Sequence, residues 1–185
     1  MHNLLTKVRR ATPEDAPQLA EFGLATWVHV HIWEAATADS RTITEYPFQI
    51  DHLYDQIRDP QNIFLLVDVD RRLTGFAQMR GGKTFQRVTG PNAIELERFY
   101  INPAWIGKGV ALHLMLACIA AARDLGFETV WLNAWHANEH ARAFYQQWRY
   151  AEPGFYTYTI GSNGLGAPTA AVEPSACQIL TYQAA

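Results

Sequence analysis

Cysteine is scarce in this chain. Cys118 and Cys177 are the two among 185 residues, too few for a disulfide framework. Cys118 falls in an Ala/Leu-rich run and reads as a small core residue, Cys177 as a buried strand residue. Positive charge is not in excess either: 15 Lys and Arg stand against 18 Asp and Glu, a net charge of −3. Without a basic tail or a basic–aromatic ribbon to neutralise phosphates, no nucleic-acid partner is expected. No apolar run is long enough to span a bilayer, and the opening MHNLLTKVRRATPEDA lacks the apolar core of a secretion signal. A cytoplasmic protein without membrane contact is the expectation. The phosphate motif GxxxxGKS/T is missing, and the chain from Gly107 reads GKGVAL rather than GxGxxG, which removes the main support for a nucleotide-fuelled or nicotinamide-dependent reaction. His29 with His31, and His136 with His140, have metal-like spacings, but no cysteines complete a ligand set, while His2, His52 and His113 are scattered. No metal site is expected.

What is present describes a folded chain: 49% hydrophobic and 18% charged residues, at a length near that of one domain. Leu4–Arg10 is a candidate strand. Thr12-Pro13-Glu14-Asp15 then carries a helix start, with Thr12 as cap, Pro13 in the first turn and Asp15 able to return a hydrogen bond. The helix should run through Phe22 toward Val30. Residues 32–44 lack periodicity and read as a loop before a second helix around Tyr46–Arg58, stopped by Asp59-Pro60. The pattern then becomes that of a sheet, with strands Ile63–Val69 and Leu73–Arg80 around the turn Asp70-Arg71-Arg72, and a third at Ala93–Ile101. An apolar helix Val110–Leu125 closes at Gly126. Strand Thr129–Asn133, helix Asn138–Trp148, strand Phe155–Ile160, a Gly/Ala/Pro-rich loop at 161–174 and an edge strand Ala176–Tyr182 complete the order. No repeat or linker interrupts it, so a single α/β domain over residues 1–185 is expected, with a mixed central sheet flanked by helices.

The chemistry concentrates in FYINPAWIGKGVA, Phe99–Ala111. Gly107 and Gly109 permit unusual backbone immediately before a helix, and the amides of such a turn point toward a common position. A phosphate or pyrophosphate suits that position, helped by the positive helix end.

Here the chain resembles the GNAT family of acetyl-CoA-dependent N-acetyltransferases. The family motif Q/R-x-x-G-x-G/A corresponds to Ile106-Gly107-Lys108-Gly109-Val110-Ala111, with Ile106 at its first position. Asn138, Ala141, Phe144 and Tyr145 in NEHARAFYQQWRY resemble the family's NxxAxxFYxxxGF segment, with Arg149 in place of its glycine and Tyr150 as the aromatic. IELERFYI, VWLNAW and NEHARAFY are similar to the PaiA-like branch of polyamine acetyltransferases. The resemblance implies the GNAT fold and direct acetyl transfer from acetyl-CoA to a small-molecule primary amine, possible homodimerisation, and specific residue roles. Main-chain groups near Phe99 and Ile101 would pair with the pantetheine arm. Ile106, Gly107, Lys108, Gly109, Val110 and Ala111 would receive the pyrophosphate, with Asn138 near the pantetheine or acetyl end. Tyr145 would lie near the thioester sulfur and donate a proton to the departing thiolate. An amide near Phe99 or Tyr100 would steady the carbonyl oxygen.

The attacking amine must lose a proton. Glu95 and Glu97, two apart in a strand, face one side, and the resemblance favours Glu97 as base, with water as a possible relay. His31, Trp33, Glu34 and Asp39 lie where a related acetyltransferase builds an acceptor wall; the aromatics suit an amine's aliphatic body and the acids its charge. A polyamine is the leading acceptor. The alternatives are an antibiotic, an amino acid, a protein N-terminus, or a noncatalytic CoA-binding module.

Overall fold

A computed structural model of the chain describes residues 5–30, 48–82, 88, 91–135, 139–147, 151–157 and 176–183. Among the described residues seven strands follow the hydrogen-bonded order β1-β2-β3-β4-β5-β7-β6. They are β1 (Thr6–Arg10), β2 (Asn62–Val69), β3 (Arg72–Arg80), β4 (Ala93–Ile101), β5 (Thr129–Trp135), β6 (Ala151–Thr157) and β7 (Ala176–Gln183). The α-helices among the described residues are α1 (Ala16–Val30), α2 (Ile50–Arg58), α3 (Val110–Asp124) and α4 (Glu139–Gln147). The residues group into two compact units, Met1–Met79 with Arg98–Cys118, and Arg80–Glu97 with Ile119–Ala185. The division passes through β4 and α3.

In the first unit β1 lies antiparallel to β2, with Thr6 opposite Val69 and Arg10 opposite Leu65. The turn joining β2 to β3 is two residues long, not three, because Arg72 already belongs to β3. Asp70 and Arg71 both take positive φ, 48° and 64°, the backbone that matches strand twist in a tight hairpin. Asp70 is tied down from both sides: its amide donates to the Leu5 carbonyl and its carboxylate accepts from the Leu5 amide, each at 3.2 Å.

The start of α1 follows the sequence signal. A single 3-10 turn, Pro13–Asp15, leads into it, and the Thr12 amide donates to the Asp15 carboxylate at 2.8 Å. That carboxylate also receives both terminal nitrogens of Arg9 at 2.8 Å, while Arg9 Nε reaches Asp68 at 3.1 Å. One guanidinium therefore fastens the helix start to β1 and β2, and it holds the Asp15 carboxyl below the usual aspartate range. Behind this clasp lies a core of Ala16, Leu19, Phe48, Leu53, Phe64, Leu66, Leu73 and Phe76. Asp59 leaves α2 in extended geometry, ψ 119°, as a residue before proline must. Gly75 on β3 admits β4: an added Cβ would lie 2.7 Å from Ile101 Cδ1 and 2.8 Å from the Tyr100 carbonyl oxygen.

In the second unit β4 runs parallel to β5, pairing Ala93–Glu95 with Thr129–Trp131. β5 continues antiparallel to β7 from Thr129↔Gln183 to Trp135↔Cys177, and β7 also pairs with β6. This corrects the edge-strand reading of Ala176–Tyr182, since β7 is interior and β6 lies outside it. Sequence order does not equal spatial order here, because β6 leaves a place that the last strand fills. Gly126, at φ +81°, ends α3; the Phe127 amide folds back to the Ala122 carbonyl at 3.0 Å, the arrangement that satisfies a helix's last carbonyls. The expected loops at 32–44 and 161–174 lie outside the described residues.

Candidate active site

The glycine turn expected to receive the pyrophosphate belongs to the first unit and follows the end of β4. The Asn102 amide donates to the Thr74 carbonyl at 2.8 Å, and Asn102 Oδ1 caps the turn Pro103–Trp105 by accepting from the Ala104 amide at 2.9 Å. The Ile106 amide then turns back to the Pro103 carbonyl and the Lys108 amide to the Trp105 carbonyl, each at 3.3 Å. Both amides were expected at the pyrophosphate; here they close the turn. Gly107 and Gly109 take φ of +76° and +82°, and nothing lies within 4 Å of where a Cβ would stand at either.

Helix α3 begins at Val110, and its first bond outside the helix proper runs from the His113 amide to the Gly109 carbonyl at 3.2 Å. Among the described residues no backbone acceptor takes the amides of Gly107, Gly109, Val110, Ala111 or Leu112. A first helical turn always leaves such donors; here they border open space and glycine, so an anion can approach closely. Leu112 was missed by sequence reading, although its amide is the last of that turn. The His113 ring sits with Nδ1 3.0 Å from the Gly109 carbonyl, bracing the same peptide. Ile106 exposes 58% of its surface, whereas Lys108 Nζ sits 5.1 Å from the centroid of the Trp105 ring.

Upstream on β4, Phe99, Tyr100 and Ile101 are partly buried. The Tyr100 ring packs against Phe76 at 5.5 Å and Phe48 at 6.2 Å, so its side chain serves the core. The remaining described candidates belong to the second unit. Glu95 is buried and Glu97 partly so, and Oε2 of each is shielded from solvent. Tyr145, on α4, is buried and meets the Phe144 ring edge-on at 5.6 Å. Asn138, His31, Trp33, Glu34 and Asp39 lie outside the described residues. Cys118 is fully buried, and burial pushes its thiol well above the usual range. It is therefore no nucleophile at neutral pH. Among the described residues no group of three or more His, Cys, Asp or Glu is placed to hold a metal ion, and no helix is long and apolar enough to cross a membrane.

Comparison with known proteins places this chain in a family. The profile described as Acetyltransferase (GNAT) family matches residues 28–149. The aminoglycoside N(6')-acetyltransferase type 1 of Stenotrophomonas maltophilia is 29% identical over 121 residues, 64% of this chain and 69% of that protein. Among solved structures, the PaiA N-acetyltransferase of Thermoplasma acidophilum, in complex with coenzyme A, is 19% identical, with TM-score 0.67 over 97% of this chain and 99% of that one. YncA of Salmonella typhimurium, solved with acetyl-CoA, is 16% identical, with TM-score 0.71 over 98% and 95%. The chain belongs to the GNAT family and has its fold. It is an acetyl-CoA-dependent N-acetyltransferase, and the open glycines and five amides at the start of α3 fit the phosphates of that cosubstrate.

Proposed function

We propose that the acetyl group goes to a primary amine of a small molecule, with a polyamine as the leading acceptor. The amine acceptor rests on the family match, and the observation that carries the cosubstrate half of the reading is the turn at Gly107–Gly109. A 15-residue helix presents its first-turn amides beside two left-handed glycines, and no side chain competes for the space. The amides of Gly107, Gly109, Val110, Ala111 and Leu112 would take the pyrophosphate. The Ile106 and Lys108 amides would join them where their 3.3 Å turn bonds exchange for a charged acceptor. The main chain at Phe99 and Ile101 would hold the pantetheine arm, and Asn138 its acetyl end.

Acetyl-CoA supplies an activated acyl group, and the chain must supply proton management around it. Tyr145 is assigned the proton donated to the leaving sulfur. Its phenol O–H is the only polar group of that side chain and the donor the role calls for. Glu97, less buried than Glu95, is assigned the proton taken from the amine, directly or through water, and Glu95 a place in substrate binding. An amide near Phe99 or Tyr100 would steady the carbonyl oxygen as charge grows on it. His31, Trp33 and Glu34, with Asp39, would form the acceptor wall. The domain is read as one, 1–185, with 161–174 as an insertion before the last strand, in a cytoplasmic homodimer.

The similarity to an aminoglycoside acetyltransferase supports an antibiotic as the second acceptor class. Turnover with acetyl-CoA across polyamines, aminoglycosides, amino acids and peptides, read by product mass, separates the two. A mono-acetylated polyamine formed at the highest kcat/KM supports the first reading, and preference for an aminoglycoside replaces it with the second.

A further inference from the structure

Helix α3 starts on a soft link. Gly109 holds a left-handed φ of +82°, and a glycine has no side chain to keep the peptide that follows it in one orientation. That peptide is planar and trans, so the Gly109 carbonyl lies on one side and the Val110 amide points the opposite way. Whatever fixes the carbonyl therefore aims the amide. The carbonyl accepts twice, and both donors belong to His113: its amide at 3.2 Å and its ring Nδ1 at 3.0 Å. The first is the ordinary helical bond from four residues on. The second comes from a side chain that leans toward the helix start, as helical side chains do, and that stays exposed while Val110 and Leu114 on the same helix are buried. A carbonyl oxygen only accepts, so Nδ1 must carry a ring proton.

We infer that His113 is a positioning residue for the cosubstrate: its Nδ1–H holds the Gly109–Val110 peptide so that the Val110 amide faces the pyrophosphate. This rests on the reading that places the pyrophosphate at the Gly107–Gly109 turn. The ring acts through the peptide and does not itself touch a phosphate. Two donors on the Gly109 carbonyl polarise the amide across the same peptide, which strengthens the hydrogen bond that this amide gives to an anion. They also fix its direction in advance. Where the first-turn amides have no backbone acceptor among the described residues, a donor already aimed at its target removes part of the ordering that binding would otherwise require.

The test separates the two ring nitrogens. In His113→Asn the side-chain amide places an N–H near where Nδ1 stands, and in His113→Gln near where Nε2 stands; His113→Ala removes both. Calorimetric titration with acetyl-CoA is expected to show binding about three- to tenfold weaker for His113→Ala, the scale of one hydrogen bond. His113→Asn should bind close to wild type, and His113→Gln like the alanine variant. Thermal melts confirm that each variant is folded, as substitution at an exposed helix position should leave it. An alanine variant that binds like wild type overturns the inference. So does an asparagine variant as weak as alanine; if glutamine alone then rescues, the ring acts through Nε2 on the cosubstrate itself. A second readout needs no ligand: nitrogen NMR of the free protein at pH 8 should find the His113 ring proton on Nδ1, and a ring protonated at Nε2 alone overturns the brace. Gly109→Ala in the same titration tests the underlying placement separately. If that variant binds acetyl-CoA like wild type, the pyrophosphate placement fails by that result, and the NMR measurement still decides the bond between ring and carbonyl.

Discussion

Gly109 and Gly126 make a matched pair for testing the cradle. Both lie at the ends of α3, both take left-handed φ, +82° and +81°, and a Cβ at either meets nothing within 4 Å. Alanine therefore costs each site only its backbone strain, about 1–2 kcal/mol. For a chain of this size that lowers Tm by roughly 2–8 °C, and the two variants should unfold alike. They should not bind alike. At Gly109 the new methyl fills space that the proposed phosphate site requires, next to amides that donate to no other backbone group among the described residues. Losing or lengthening one charge-assisted hydrogen bond costs about 1.5–3 kcal/mol, so Gly109→Ala is expected to weaken acetyl-CoA binding roughly 10- to 100-fold. Gly126→Ala should leave it unchanged. Calorimetric titration of both variants, beside thermal melts, measures the contrast. Equal acetyl-CoA affinity in the two folded variants would refute the placement of the pyrophosphate at the Gly107–Gly109 turn.

Three further expectations follow from single side chains. Asp15→Asn removes a carboxylate that accepts two Arg9 nitrogens at 2.8 Å and should cost about 1.5–3 kcal/mol in urea unfolding at pH 7. Because the folded Asp15 carboxyl titrates below its ordinary 3.8, this stability is full above that value and is lost as pH falls through the folded one. Wild type and Asp15→Asn should therefore converge as the pH falls below 3.8; a gap of constant size from pH 7 down to the acid unfolding transition would contradict the ion-pair account. Tyr145→Phe should lower kcat about 100-fold or more, the scale of general acid catalysis, with acetyl-CoA Kd within twofold. Unchanged turnover in a chemistry-limited assay removes the acid assignment. Cys118, buried and held as neutral thiol, should resist alkylation in the folded protein at pH 8 and react once urea unfolds it, as read by mass of the Cys118 peptide. Rapid native labelling would show that α3 opens readily.

Local signals were legible where short-range chemistry decides. Ala93–Ile101 is a strand over the very residues expected, because Asn102-Pro103 ends it. Thr12 to Asp15 announced α1, Pro60 the end of α2 and Gly126 the end of α3. The Gly107–Gly109 turn was legible as unusual backbone ahead of a helix, but which amides the turn itself consumes depends on the Pro103–Trp105 fold-back, and no pattern of glycines shows that. The place of β7 was misread because an edge strand and an interior strand of eight residues have similar sequences, and only long-range pairing distinguishes them. Arg98 passed as an ordinary charge within a strand. Its contacts with the Phe48 ring and Gln56 Oε1 join residues 42 or more apart, and a glycine inside a helix, Gly23, gives no hint that the Phe48 ring must lie against it. Glu95 and Glu97 were correctly placed on one strand, yet their unequal burial came from the structure alone.

The central claim is catalytic transfer to a small amine, and product mass tests it most directly. Purified protein with acetyl-CoA and the amine panel should release free CoA in step with an acetylated amine, one acetyl group per CoA, with a polyamine as the best acceptor. Acetyl-CoA bound at the expected affinity, with no acetylated product from any amine, would contradict the account and leave a CoA-binding module in its place.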